Sequence, residues 1–186
     1  MRRFKGFTMV EMLFVIAIIG IGMSIAVPSF QGMLERNRLA TQANDLAMAI
    51  NVARSEASRI GNIVSLQAAV GQAGDEFGGG YCIVVNNPGN CNNPVIRRFP
   101  ALLGAATLAG IDDAANGGSW NAPRTSIQFN SLGALSGANP QLRNLDLCLS
   151  GQLARRIQIA IIGRPKVWRQ AEPGDPVPSV QPTSCP

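Results

Sequence analysis

The first sixty residues carry two hydrophobic patterns, and both predict helix. Residues 12–30 contain no charged side chain, and 19 mostly apolar positions are enough helix to cross a bilayer core. Further along, apolar residues recur at alternating steps of four and three, which places them on one face of an amphipathic helix. We therefore expect one long helix from Phe7 to about Arg59, ended by Gly61 and Asn62. The apolar stripe consists of Leu39, Ala43, Leu46, Ile50, Ala53, Ala57 and Ile60.

Beyond this helix the pattern becomes strand-like. The clearest alternation runs over Arg155–Ile162, where Ile157, Ile159 and Ile161 are predicted to form the core face. An Ala- and Gly-rich stretch is ambiguous and could hold a short helix around Leu108–Ala115. The fold class is therefore α+β, with an antiparallel sheet packed on the second half of the long helix. The other strand candidates, separated by turns rich in Gly, Asn and Pro, are Ile63–Val70, Tyr81–Val85, Thr125–Phe129 and Asp146–Leu149.

These patterns divide the chain into four segments. Residues 1–6 form a basic leader, 7–30 a transmembrane segment, 31–60 an amphipathic helix, and 61–186 a β-rich head with a proline-rich tail. The positive charges of the leader hold the N-terminus in the cytoplasm, so the head lies across the membrane. In an ordinary secretory signal the small residue at the cleavage site follows the apolar run, whereas here Gly6 precedes it. Cleavage at Gly6 would leave the apolar segment on the mature chain.

Glu11 is an acidic residue near one end of the predicted spanning helix. A carboxylate costs on the order of 2–3 kcal/mol at the centre of a bilayer and less near the interface, and it usually has a partner. Since the sequence offers no partner nearby, we expect one outside the chain, such as the α-amino group of a neighbouring copy or relative. The alternative is a plain signal anchor in which Glu11 has no such role.

Composition argues against catalysis. The 186 residues include no histidine, so the commonest general base and metal ligand is missing. The cysteines lack CxxC spacing, and the triple glycine 78–80 lacks the Lys-Ser/Thr of a phosphate loop. Removing the leader takes three of the 16 basic residues and leaves 13 against 11 acidic ones, a net charge of about +2. We predict a protein that is not an enzyme, with no cofactor and no metal site.

All four cysteines lie in the translocated part of the chain, which predicts two disulfides in an oxidising compartment. Three connectivities are compatible with four cysteines. Cys82 and Cys91 flank an Asn-Pro-Gly turn, so we pair them, and Cys148 then pairs with Cys185. The second disulfide would tie the proline-rich tail back onto the head.

A basic cluster lies near the C-terminus. Five positive charges fall within 15 residues that contain no acid, and Trp168 adds a ring on which an exposed base could stack. One interpretation is a DNA-binding surface, and the alternative is a solvated strand face. The charged members of the cluster are Arg155, Arg156, Arg164, Lys166 and Arg169.

The N-terminal motif resembles a known processing signal. A basic leader ending in Gly6, then Phe7-Thr8-Met9-Val10-Glu11 and an apolar helix, is similar to the class III signal of type IV pilins and type II secretion pseudopilins, with Met9 as a departure. The resemblance implies that prepilin peptidase cuts between Gly6 and Phe7 and methylates Phe7. It also implies that Glu11 recruits the subunit into a fibre. Pro28 lies where many pilins have a helix-kinking proline.

A second resemblance narrows the family to FimT/GspH-type minor pilins. It rests on Ala53-Arg54-Ser55-Glu56-Ala57 near the helix end, a Phe-x-x-x-Gly turn at 129–133, and a cysteine strand at Cys148. A basic strand at 155–156 and Gly163-Arg164-Pro165-Lys166 follow in the same order as in that family. DNA-binding FimT members have Gly-Arg-x-Arg at the last position, so Lys166 is a departure that weakens the match.

Together these resemblances imply a minor pilin of a type IV pilus. Such a protein would be anchored in the inner membrane with its head in the periplasm, and later incorporated at or near the pilus tip. Its partners would be other minor and major pilins, prepilin peptidase and DNA bound without sequence preference, through Arg155, Arg156, Gly163, Arg164, Lys166, Trp168 and Arg169. The alternatives are a purely structural priming pilin that binds no DNA and a type II secretion pseudopilin.

Overall fold

A computed structural model describes residues 8–72, 74–86, 88–92, 94–112, 125–136, 143–149 and 152–169. Its main element is helix α1, Met9–Ile60, which confirms the single long helix predicted from the two hydrophobic patterns. The chain divides into two compact units, and the division falls between Arg38 and Leu39.

From Met9 onward, the unit before Leu39 is helix whose apolar side chains are exposed all round. By length and composition α1 is the one helix among the described residues that could cross a membrane. A helix that is apolar on every face needs an apolar environment that its own unit does not supply. Pro28 lies inside α1, where it removes one backbone hydrogen bond.

The unit from Leu39 onward contains two four-stranded antiparallel sheets. In the first sheet the strand order is β3-β2-β1-β5, and in the second it is β4-β6-β7-β8. The strands of the first sheet are β1 (Val64–Ala68), β2 (Tyr81–Val85), β3 (Val95–Phe99) and β5 (Ser126–Phe129). Those of the second are β4 (Ala106–Asp112), β6 (Arg143–Leu149), β7 (Gln152–Ile159) and β8 (Pro165–Arg169).

One hydrophobic core joins both sheets to the second half of α1. The helix contributes the predicted stripe from Leu39 to Ala57, and small residues such as Ala49, Ala53 and Ala57 are fully buried, which lets strands approach the helix closely. Ile60 was wrongly assigned to the stripe, because it is the last residue of α1 and is 39% exposed. Because each strand alternates its side chains between two faces, every second residue enters this core. The largest buried strand residues are Leu66, Ile83, Phe129, Leu108, Leu145, Leu147, Ile157 and Ile159.

A short segment at Asp75–Phe77 connects the two sheets. The Leu108 N–H donates to Asp75 Oδ1 at 2.7 Å, and the Gly110 N–H donates to Glu76 Oε2 at 3.0 Å. The Phe77 N–H donates to the Leu108 carbonyl at 3.0 Å, and the Phe77 ring is fully buried. The edge of β4 that faces away from β6 is thereby paired with the segment between β1 and β2. Its Leu108 and Gly110 backbone groups have hydrogen-bond partners and are not left open at a sheet edge.

The five predicted strands are present as β1, β2, β5, β6 and β7, with ends shifted by up to a few residues. The short helix around Leu108–Ala115 is wrong over its described part, because Ala106–Asp112 is strand β4. Most residues of β4 are small, so the strand does not show a clear alternation of large apolar and polar side chains. Ile161 was also wrongly assigned to the core face, since β7 ends at Ile159 and Ile161 is 49% exposed in the following turn.

Candidate assembly and nucleic-acid interfaces

Thr8 and Glu11 form a reciprocal cap at the start of α1. The Glu11 N–H donates to Thr8 Oγ1 at 3.2 Å, and the Thr8 N–H donates to Glu11 Oε2 at 3.4 Å. This capping box satisfies two backbone donors that a helix start leaves without partners. The expectation that Glu11 has no local partner was therefore wrong. Gly6 and Phe7, the predicted cleavage site, lie outside the described residues.

The hairpin between β7 and β8 carries the predicted basic cluster. Its turn runs from Ala160 to Gly163, and the Gly163 N–H donates to the Ala160 carbonyl at 2.7 Å. Gly163 has φ +79°, the left-handed conformation that closes a three-residue hairpin loop. The motif Gly163-Arg164-Pro165-Lys166 spans the end of this loop and the start of the next strand, because Pro165 and Lys166 begin β8.

Arg156 was wrongly placed among the DNA contacts. Its Nε and Nη2 donate to the two carboxylate oxygens of Asp146 at 2.7 and 2.6 Å, directly across the β6–β7 pair. Arg156 is 6% exposed and Asp146 is fully buried. Burial raises the pKa of the Asp146 carboxyl, against the opposing hydrogen bond and charge of Arg156. The ion pair thus holds the second sheet together rather than offering a charge to a ligand.

The exposed part of the basic cluster is smaller than predicted. Arg164 and Lys166 are exposed and Arg155 is half-buried, while the side chain of Arg169 lies outside the described residues. The Lys166 ammonium lies 3.5 Å from the centre of the Trp168 ring, a cation–π contact. Lys166 therefore covers one face of the Trp168 ring, so a base could stack only on the other face.

Three separate motifs meet next to this hairpin. A β-carbon on Gly133, which ends the 129–133 turn, would lie 2.9 Å from Arg54 Cγ and 3.0 Å from Ser58 Oγ. A β-carbon on Gly163 would lie 3.2 Å from Arg54 Cδ and would overlap the Gly133 carbonyl. The motif around Arg54, the Phe-x-x-x-Gly turn and the Gly163-Arg164 pair, far apart in sequence, are therefore one packed junction.

Three of the cysteines, Cys82, Cys91 and Cys148, are disulfide-bonded. Cys82 and Cys91 are joined by a disulfide, which is the pairing predicted from their spacing. Cys148 is also disulfide-bonded, and its predicted partner, Cys185, lies outside the described residues. Within the described ranges no group of three or more His, Cys, Asp or Glu residues is arranged to hold a metal ion.

Three contacts that shape these sites were not predicted from the sequence. The Thr8–Glu11 cap had a readable signal, because a threonine followed three residues later by a glutamate at a helix start is a capping box. The Asp146–Arg156 pair had none, since it depends on the register between two strands. The Gly133–Gly163 contact likewise requires two turns to meet in space.

Comparisons with known proteins agree with this geometry. A family model described as Type II transport protein GspH matches residues 42–163, and one described as Prokaryotic N-terminal methylation motif matches residues 1–27. Among curated proteins, none is significantly similar in sequence.

The fold is similar to that of a solved type IV minor pilin, FimU of Pseudomonas aeruginosa strain PAO1. One crystal form is 23% identical with a TM-score of 0.55, covering 75% of this chain and 92% of FimU. A second crystal form is 21% identical with a TM-score of 0.53, covering 69% and 91%. At this identity the likeness shows the fold, and the family follows from the GspH model, which covers more than half of the chain. The chain therefore belongs to the FimT/GspH family of minor pilins and pseudopilins.

Proposed function

We propose that this protein is a minor pilin of a type IV pilus that helps to initiate or cap pilus assembly. The observation that carries the proposal is the first part of α1, where a capped Glu11 precedes apolar side chains exposed on every face. In the inner membrane those side chains face lipid, and in a fibre they face the helices of other subunits. The unit from Leu39 onward stays in the periplasm until assembly moves it to the pilus tip.

Processing prepares this helix for assembly. Cleavage after Gly6 makes Phe7 the new N-terminus, four residues before Glu11. The Glu11 carboxylate accepts one hydrogen bond from the Thr8 N–H and has further acceptor sites on its two oxygens. It can therefore keep its cap and still accept the methylated amino group of a neighbouring subunit. That pairing compensates two charges which would each be costly in an apolar fibre core.

Mass spectrometry of the membrane-extracted protein tests the processing step. Co-expressed with prepilin peptidase, the chain should lose six residues and begin at N-methyl-Phe7. Gly6→Val should block cleavage, because a branched side chain crowds the scissile bond. Gly22→Val is the matched control, since Gly22 has open space around it inside α1, and it should be processed normally. An intact leader on the wild-type protein would contradict the proposal.

A type II secretion pseudopilin is the competing assignment, and the description of the matched family model favours it. The two assignments differ in the fibre that contains the chain. Deleting the gene should reduce the number of surface pili if the protein is a minor pilin. A loss of protein secretion with unchanged piliation would assign it to the pseudopilus instead.

We further propose that the head binds DNA without sequence preference through the β7–β8 hairpin. The supporting observation is the juxtaposition of exposed Arg164 with the Lys166–Trp168 pair on one hairpin. Arginine and lysine neutralise phosphate, and the exposed face of a tryptophan can stack on a base. Lysine holds phosphate as a point charge without the bidentate geometry of arginine, so the contact is weaker than in a Gly-Arg-x-Arg loop.

Gel-shift titration of the full chain in detergent over a salt series tests DNA binding. Affinity should fall with salt at a log–log slope of about −0.9 per phosphate contact on duplex DNA. Arg164→Ala and Lys166→Ala should each weaken binding and lower the slope by roughly one, whereas Lys166→Arg should retain or strengthen it. Arg97→Ala removes an exposed charge from β3 in the first sheet and should bind normally. If the wild-type protein shows no gel shift at low salt, the DNA-binding proposal is contradicted and only the role in pilus assembly is left.

A further inference from the structure

The side chain of Arg54 is held by two glycines at the junction of the three motifs. Its Cγ and Nε lie 2.9 and 3.1 Å from the position of a β-carbon on Gly133, and its Cδ lies 3.2 Å from that of Gly163. Any larger residue at either glycine would displace the arginine stem. The two turns are also tied together directly, since the Leu135 N–H donates to the Ile161 carbonyl at 2.8 Å. The position of the Arg54 stem is therefore fixed by packing.

Unlike Arg59 and Arg156, Arg54 has no carboxylate partner among the described residues. Arg59 pairs with Glu56 at 2.6 Å, and Arg156 pairs with Asp146 at 2.6 Å. Arg54 is half-buried, and no residue in the described ranges accepts a hydrogen bond from its guanidinium. A guanidinium that is partly removed from water gains from a charged acceptor, and its planar fork fits a carboxylate in two places.

Large exposed apolar side chains lie in the two turns whose glycines pack against the Arg54 stem. Leu132 precedes Gly133 and is 83% exposed, and Ile161 and Ile162 precede Gly163 and are 49% and 57% exposed. They belong to the two turns that meet at Arg54, so the three side chains flank the same junction. A half-buried cation bordered by exposed aliphatic side chains is a typical composition for the centre of a protein interface.

We propose that these two turns and Arg54 form a docking surface for the head of another pilin-type subunit. The occupant presents a carboxylate to Arg54 and apolar side chains to Leu132, Ile161 and Ile162. Charge complementarity selects an acidic partner, and the aliphatic side chains favour a protein over DNA, which offers phosphates in place of apolar contacts. The surface deepens the proposed assembly role, and only the identification of its partner as a pilin-type subunit rests on that role.

Site-specific photocrosslinking in cells that assemble the fibre tests this surface. A benzoylphenylalanine residue replaces Ile162 in the full chain, and the control places it at Leu103, which is 73% exposed on a different loop. Irradiated membranes report docking before assembly, so the result does not depend on whether the chain reaches the pilus. We expect an adduct from position 162 with a chain carrying the same N-terminal methylation motif, at a peptide that contains Asp or Glu.

Two disruptive variants, Arg54→Glu and Leu132→Ser, measure the proposed contacts, and Arg54→Lys is the conservative control. Arg54→Glu should lower the adduct yield about tenfold or more, because it opposes like charges, and Arg54→Lys should largely retain it. Exchanging the crosslinked acid for arginine should restore the adduct with Arg54→Glu. Leu132→Ser alters an exposed side chain without touching the core and should also lower the yield. An adduct with lipid or DNA, equal yields from positions 162 and 103, or yields unchanged in both variants would overturn the proposal.

Discussion

The two halves of α1 have the same backbone conformation and opposite surroundings. In the first half Leu13 and Ile16 are 60% and 64% exposed, whereas in the second half Leu46 and Ile50 are 1% and 0% exposed. The second half separates apolar from polar positions because one face packs on the two sheets. The first half has no such separation, and a helix that is apolar on every face needs apolar neighbours on every side. The hydrophobic pattern of a helix thus reports how many of its faces have partners.

Truncating one leucine in each half gives the largest expected contrast. Leu46→Ala should destabilise the unit from Leu39 onward by about 2–5 kcal/mol, because it leaves a cavity in the shared core. Leu13→Ala removes the same atoms from an exposed position and should leave that free energy of unfolding unchanged. Denaturant unfolding of the full chain in detergent, followed by near-ultraviolet circular dichroism, measures both. Equal effects would contradict the division into two halves.

A glycine pair gives the next largest contrast. Gly163→Ala should cost at least about 1–2 kcal/mol, because φ is +79° and the new β-carbon meets the Gly133 carbonyl. Gly22→Ala, in the first half of α1, meets open space and should be neutral or stabilise the helix by about 1 kcal/mol. Thermal unfolding of the two variants, recorded under one detergent condition, provides the comparison. A stable Gly163→Ala protein would show that the motif junction is loosely packed.

The smallest predicted effect concerns the single tyrosine. Burial, and then the negative charge of Asp45 on the second half of α1, raise the pKa of Tyr81 well above its ordinary value of 10.0. Tyr81 must therefore lose its proton more readily in the unfolded chain, so its contribution to stability is present below pH 10 and is lost as the pH rises further.

Ultraviolet titration of tyrosinate measures this shift directly, since no other tyrosine contributes. In the folded protein the signal should appear only well above pH 10. Asp45→Asn removes the smaller of the two causes and should lower the pKa slightly. Ionisation near pH 10 in a folded protein would show that Tyr81 is accessible to water.

The sequence predicted those parts of the fold that depend on local periodicity. The stripe from Leu39 to Ala57 and the alternation of Ile157 and Ile159 are both local, and both elements are present. β3 was missed because it is an edge strand whose centre carries exposed Arg97 and Arg98 in place of apolar residues. β8 was missed because it begins at Pro165, a residue typical of turns that is tolerated at a strand start.

The candidate sites were less predictable because they depend on contacts between distant segments. The cluster of five basic residues did not indicate that Arg156 lies opposite Asp146 and forms an ion pair with it. The motif around Arg54 and the two glycine turns could be recognised one by one, yet their meeting follows from how the sheets pack on α1. The charge pattern therefore predicted more exposed basic residues than the structure has. The family motifs, taken one by one, did not predict that they pack against each other.

The central claim is that the first half of α1 assembles the fibre while the second half supports the head. It is tested most directly by the amount of full-length protein in sheared pili, wild type against Glu11→Ala, with membrane levels measured in parallel. Glu11→Ala should insert into the membrane normally or better and keep a folded head, yet be largely absent from the pili. Equal amounts of the two proteins in the sheared pili would contradict the claim.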